Sequence, residues 1–336
     1  MKKLFLALVM VFAVSFGTWY FHPDQETLLP RSVQSPGFEE TLGALRPLPE
    51  PPVLMPERVA LGARLFADRR LSVDNSVACA SCHRFDLGGA DGLPVSIGVQ
   101  GRRGGINAPS VFNSGLNFVQ FWDGRALSLQ EQVAGPLHNP VEMGASWALV
   151  IERLRVDEEI VRTFAEAYRD GLTPENIADA IASFEQSLHT LDAPFDRYLR
   201  GDPSALSPQA KAGYQRFRDL GCISCHQGAL LCGNMFQKFG VIGDYFAERT
   251  PTRADLGRYN VTGREEDRHV FKVPGLRNVA LTAPYFHDGS AASLDAAVAV
   301  MGRYQLGRDL PPDDIKSIVA FLHSLTGRIP ALDGVE

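Results

Sequence analysis

Two short stretches carry the residues best placed to do chemistry: Cys79-Ala80-Ser81-Cys82-His83 and Cys222-Ile223-Ser224-Cys225-His226. Each reads C-x-x-C-H, the attachment pattern of c-type haem. The spacing has a chemical reason. Two thiols three positions apart on one helical turn can each form a thioether to a haem vinyl group, and the next residue's imidazole then ligates the iron. A zinc site would also use Cys and His, but its ligand pairs normally lie far closer in sequence than these two. A thioredoxin-like redox pair has no need of a His after each second Cys. The two stretches therefore predict two covalently bound haem c groups.

The elements that must hold these segments repeat. A helical pattern from Glu57 to Phe66 precedes the first motif, and one from Gln209 to Arg218 precedes the second. Pro109-Ser110-Val111-Phe112-Asn113 is echoed by Pro274-Gly275-Leu276-Arg277-Asn278. Asp123-Gly124-Arg125-Ala126 is echoed by Asp288-Gly289-Ser290-Ala291, at the same offset of 165 residues. The register holds through Ser128-Leu129 and Ser293-Leu294. The closing patterns also match, Ile181-Ala182-Ser183-Phe184 against Ile318-Val319-Ala320-Phe321. Several blocks in one order argue for an internal duplication. The expected fold is mostly α, with two tandem cytochrome c-like haem domains over residues 57–203 and 204–329. Further helices are expected over 146–169 and 174–190, with a Gly-rich loop over 88–105. The changeover is placed in the Gly, Asp, Pro and Ser cluster of 201–207.

The copies diverge in ways that bear on chemistry. In the second half Met301 lies in a loop-like Met-Gly-Arg-Tyr, where a thioether would complete a His/Met iron centre suited to electron transfer; core packing is the plainer role for a single Met. At the same offset the first half has Pro136, which cannot ligate iron. That haem is left with room for a substrate, and Glu142 just beyond is a candidate acid–base, against the plainer reading of a solvated surface carboxylate. Trp122 is replaced by His287 in the second copy. A Trp between two cofactors can relay electrons, although core packing is the commoner role.

Composition fits a globular protein, with 45% hydrophobic and 21% charged residues. The net charge of -6 offers no basic surface for nucleic acid. Cys232 is the one Cys outside the haem motifs and reads as a small buried side chain. Residues 1–21 begin with Lys2 and Lys3 and continue in an apolar run. They read as an export signal, with an uncleaved anchor as the alternative, so the bulk of the chain is expected in the periplasm. Residues 22–56 are Pro-rich and read as an extended lead-in outside the core, and 330–336 as a tail.

The chain resembles the bacterial di-haem cytochrome c peroxidases from about Pro56 to Gly327. The likeness rests on both C-x-x-C-H motifs, Ile106-Asn107-Ala108-Pro109, Phe121-Trp122-Asp123-Gly124-Arg125, Asn139-Pro140-Val141-Glu142-Met143, Asn260-Val261-Thr262-Gly263, Pro284-Tyr285-Phe286-His287-Asp288-Gly289 and Met301-Gly302-Arg303. The resemblance implies a peroxidatic haem on Cys79, Cys82 and His83. It implies an electron-receiving haem on Cys222, Cys225, His226 and Met301, with iron held by His83, His226 and Met301. Trp122 would lie on the route between them. Glu142 would be the acid–base, with Gln132 nearby. Asn107, Thr282 and Pro284 would bind one calcium ion, the last two through carbonyls. The substrate would be hydrogen peroxide, the donor a small cytochrome c or cupredoxin, and the assembly a homodimer.

One departure matters. Many members of that family carry a His where this chain has Val99, and that His caps the peroxidatic iron until the other haem is reduced. Val99 offers no ligand, so the reductive switch is expected to be absent. Two other functions compete. A plain di-haem electron-transfer protein needs neither Pro136 nor Glu142. A di-haem enzyme that oxidises a protein side chain, like the tryptophan-modifying relative of methylamine metabolism, has a Tyr where this chain has Met301.

Overall fold

A computed structural model describes residues 45–247 and 249–330. The export signal or anchor expected at 1–21 lies outside the described residues. So does the tail, apart from Pro330. No described helix is long and apolar enough to cross a membrane.

Two helix pairs organise the chain. In the first half α1 (Pro56–Phe66) crosses a long helix, Pro174–Ser187. Between them in sequence come α2 (Cys79–Cys82), α3 (Leu129–His138), α4 (Trp147–Leu154) and α5 (Glu158–Ala167), so the long helix is α6. Both partners start on a Pro, whose fixed φ suits the first helical turn. They meet at Gly62, where any side chain would collide with the Ala180 carbonyl. Leu61, Leu65 and Phe66 from α1 and Ile177, Ile181 and Phe184 from α6 fill this core.

The second half follows with α7 (Pro194–Leu199) and α8 (Pro208–Asp219). Next come β1 (Phe236–Lys238), α9 (Tyr259–Thr262), β2 (Val270–Lys272), α10 (Leu294–Val300) and α11 (Pro312–His323). Here α8 crosses α11, again at a glycine, Gly213, pressed onto the Ser317 carbonyl. Phe195, Tyr214, Phe217 and Phe321 form this second core. The strands pair antiparallel, Phe236 opposite Lys272.

The echoed blocks adopt matching shapes. Asn113 and Asn278 both take the left-handed conformation, φ 60° and 61°. A short bridge joins Gln120 to Ala126, and another joins Tyr285 to Ala291. Ser128 caps α3 and Ser293 caps α10 through the same side-chain bond. Contacts between the halves are reciprocal. The Asn107 N–H donates to the His287 carbonyl (2.8 Å), and the Lys272 N–H donates to the Trp122 carbonyl (2.8 Å). At the centre the Thr190 hydroxyl accepts from the side-chain amides of both Asn113 and Asn278, each at 2.8 Å.

Three expectations need correction. The helix expected over 146–169 is split, because the Asp157 side chain caps a fresh start by accepting from the Ile160 N–H. Met301 is not in a loop. It opens a π-helical turn, Met301–Gln305, continuous with α10, and such turns often mark functional positions. Residues 45–48 are extended but not outside the core. Leu45 and Leu48 are buried, and the Leu48 N–H donates to Asp196.

Candidate active site

The first motif forms a single helical turn. The Ser81 hydroxyl accepts from the Ala78 N–H (2.9 Å), and the His83 N–H closes onto the Cys79 carbonyl (3.0 Å). His83 Nδ1–H donates to the Gly89 carbonyl (3.2 Å), which leaves Nε2 to ligate. Burial draws the His83 pKa down, with the Gly89 bond opposing, so the ring is neutral as a ligand must be. The second motif repeats this. His226 Nδ1–H donates to the Leu231 carbonyl (3.0 Å), and burial takes its pKa down to about 4. Cys222, Cys225, His226 and Met301 line one cavity of about 550 Å³. Two sulfurs, an oriented imidazole and a thioether in one apolar chamber form the donor set that haem c requires.

Beside the first motif stands Glu142. The turn after α3 folds back, with the Met143 N–H on the Pro136 carbonyl and the Ala145 N–H on that of Leu137. It presents Glu142 half-buried, its Oε1 accepting from Asn139 Nδ2 (2.6 Å). Burial raises the Glu142 pKa, while the Arg125 charge and the Asn139 bond oppose. Burial also pushes up the Cys82 thiol, a Ser96 hydroxyl opposing, and the charges of Asp91 and Glu142 add to the rise. Glu142 is thus within electrostatic reach of the first motif. Gln132 sits half-buried on α3, the helix that leads into this turn.

Val99 is 1% exposed. Its N–H donates to the Glu142 carbonyl (2.8 Å), and Arg102 reaches the Pro140 carbonyl (3.0 Å). The Val99 loop is therefore latched against the Glu142 turn. Gly98 permits the approach, since a side chain there would strike the Val141 carbonyl.

Trp122 lies where the halves meet. Its Nε1–H donates to the Asn107 carbonyl (3.0 Å), and its ring stands edge-on to His287 at 6.4 Å. His287 is buried, stacks on Phe271 (4.6 Å) and bonds Asp255 through Nε2 (2.8 Å). Asp255, His287 and Asp288 cluster like metal ligands. Arg249 already answers both carboxylates, at 3.2 and 2.8 Å. Asn107, Thr282 and Pro284 all line the 550 Å³ cavity. Asn107 Nδ2 donates to the Leu93 carbonyl (2.9 Å), which identifies the other end of its amide as the oxygen a cation would meet.

The profile of the di-haem cytochrome c peroxidase family matches residues 56–204. Over 276 residues the chain is 46% identical to cytochrome c551 peroxidase of Pseudomonas aeruginosa, covering 81% of this chain and 80% of that one. The chain belongs to the di-haem cytochrome c peroxidase family. It is also 52% identical over 285 residues to cytochrome c peroxidase Ccp of Escherichia coli, across 84% of this chain but 61% of that protein's length. Among solved structures it resembles a MauG-like protein associated with microbial copper homeostasis, with TM-score 0.75, 29% identity, and 83% and 93% of the two chains covered.

Three features of this di-haem peroxidase escape sequence reasoning. Arg125 sits in a quoted motif, but nothing in the sequence ties its charge to Glu142. Glu185 on α6 is wholly buried, its Oε2 without a partner, and burial pushes its pKa up to about 8. The one available signal is its place directly after the matched Phe184, where the other half has Leu322. Lys272 is buried in β2, at the end of a stretch whose composition gives no hint of it.

Proposed function

We propose that this chain reduces hydrogen peroxide to water at the haem of Cys79, Cys82 and His83, using electrons received one at a time at the haem of Cys222, Cys225, His226 and Met301. The observation that carries this is the asymmetry between the halves. The half-buried carboxyl Glu142 stands by the first motif, whereas the Met301 thioether lines the chamber of the second. When bound, the two haems supply the redox steps. The remaining work falls to side chains. Glu142 takes a proton from the nearer peroxide oxygen and returns it to the departing one, so that water leaves rather than hydroxide. Gln132, half-buried on α3, orients the peroxide. Trp122, held by the Asn107 carbonyl, lies on the path between the halves.

The finer readings are part of the same proposal. The donor is a small cytochrome c or cupredoxin that docks transiently. The two halves descend from an internal duplication, a reading supported by the matched caps, bridges and left-handed Asn residues. One calcium ion is held by Asn107, Thr282 and Pro284. The enzyme is exported to the periplasm and works as a homodimer. It lacks the reductive His switch, because Val99 faces the core with its loop already latched at Glu142.

The test is to mix fully oxidised, haem-loaded protein with hydrogen peroxide and follow its absorbance by stopped flow. A rapid spectral change without prior reduction is the expected result. A bis-histidine low-spin signal from the first haem in the resting protein would overturn the absent-switch reading. No reaction in either redox state would overturn the peroxidase reading.

A further inference from the structure

Lys272 is an unanswered charge in the interior. It is 7% exposed, at the end of β2. Burial draws its amine down to about 8, opposed only by the Cys232 thiol. Among the described residues no carboxylate or hydrogen-bond acceptor pairs with that amine. A buried ammonium without a counter-charge is expensive, and a Leu or Met would fill the same space without that cost. Lys272 lines the cavity that also holds Cys222, Cys225, His226 and Met301.

A second donor in the same wall is also incomplete. Arg277 pairs with Asp196 through Nη2 (2.7 Å) and gives Nε to the Ala229 carbonyl (2.8 Å). Its Nη1 is buried and has no acceptor. Two buried cations thus border one cavity, and among the described residues only Asp196 answers either of them with an opposite charge. A haem brings two propionate carboxylates wherever it binds.

We infer that the Lys272 ammonium is the fixed counter-charge for a propionate of the second haem, with Arg277 Nη1 as the second donor to that haem's carboxylates. The inference rests on the two-haem reading above. It assigns Lys272 a tuning role as well as an anchoring one. A fixed positive charge beside a haem favours the reduced, less positive iron. The matching position of the first half, at the same offset, is the neutral Asn107, and the two residues make mirrored backbone bonds across the interface. The second haem alone therefore gains this charge, in keeping with its role as electron receiver.

The experiment compares the haem-loaded wild type with Lys272→Met and Lys272→Arg. Mass spectrometry counts the attached haems, and spectroelectrochemistry gives each haem's reduction potential. Lys272→Met is expected to lower the potential of the Met301-side haem. The expected size is about a tenfold shift in its oxidised-to-reduced ratio at fixed potential, or about 59 mV for one electron. The first haem moves much less, and Lys272→Arg stays close to wild type. Loss of the second haem in Lys272→Met but not in Lys272→Arg also supports the assignment. A two-haem Lys272→Met protein with an unmoved second potential overturns it, as does an equal shift at both haems or haem loss in both variants. Fewer than two haems in the wild type would overturn the two-haem reading itself, and this assignment with it.

Discussion

At the scale of single residues the decisive quantity is how each buried group holds its proton. Burial raises the Glu142 pKa, and the Arg125 charge holds it back. As the proposed acid–base Glu142 must be ionised to accept a proton, so activity should rise with pH through a midpoint displaced upward from that of an ordinary Glu. Glu142→Gln should lose that limb and about 10²–10⁴-fold of the peroxide rate. Arg125→Ala should move the limb to higher pH, because the charge favouring the ionised form is gone. A pH–rate profile of both variants checks this. Glu185 gives a stability prediction. Its pKa is raised to about 8 in the fold, so the folded state holds the proton more tightly than the unfolded chain. The stabilisation is complete below the unfolded value and is lost as pH rises through the folded one. Stability should therefore fall between about pH 4 and 8, by a few kcal/mol at about 1.4 kcal/mol per tenfold change in proton affinity. Glu185→Leu should remove that slope in denaturant titrations. The candidacy of Glu142 was legible in the sequence because a motif surrounds it. That of Glu185 was not, since a lone Glu after an apolar run reads as a solvated helix face.

At the scale of elements, close approach decides what can change. The crossing of α8 and α11 depends on Gly213 lying against the Ser317 carbonyl. Gly213→Ala should force the helices apart and cost about 1–3 kcal/mol, read as a fall in the unfolding midpoint. The sequence located α1, α6 and α8 because apolar residues recur there at helical spacing. It missed the π turn at Met301, since one extra residue in a turn leaves the apolar pattern almost unchanged. It also missed the break at Asp157, where a single side chain restarts the helix. The burial of Leu45 and Leu48 was hidden for a different reason. Pro-rich composition predicts an extended backbone correctly but says nothing about what that backbone lies against.

At the scale of the whole molecule, the echoed blocks were visible in sequence, but the manner in which the two halves meet was not. Thr190 shows why. Its hydroxyl serves Asn113 and Asn278 together, a convergence of three distant positions that no local pattern encodes. Thr190→Val keeps the shape and strands two buried amide donors. It should cost about 2–6 kcal/mol, at roughly 1–3 kcal/mol per unsatisfied buried group, seen in calorimetry of the haem-loaded protein. The mirrored bonds, Asn107 to His287 and Lys272 to Trp122, have a consequence of their own. Like positions that exchange the same bond are the signature of a two-fold dimer. On the proposed duplication, a half-length ancestor would have met a second copy of itself along these edges, bound to carry the same residue on both sides. On the same reading, joining the copies in one chain would have released that bond between sides. One side could then hold an indole and an amide while the other took an imidazole and an amine, without either choice being imposed on its twin.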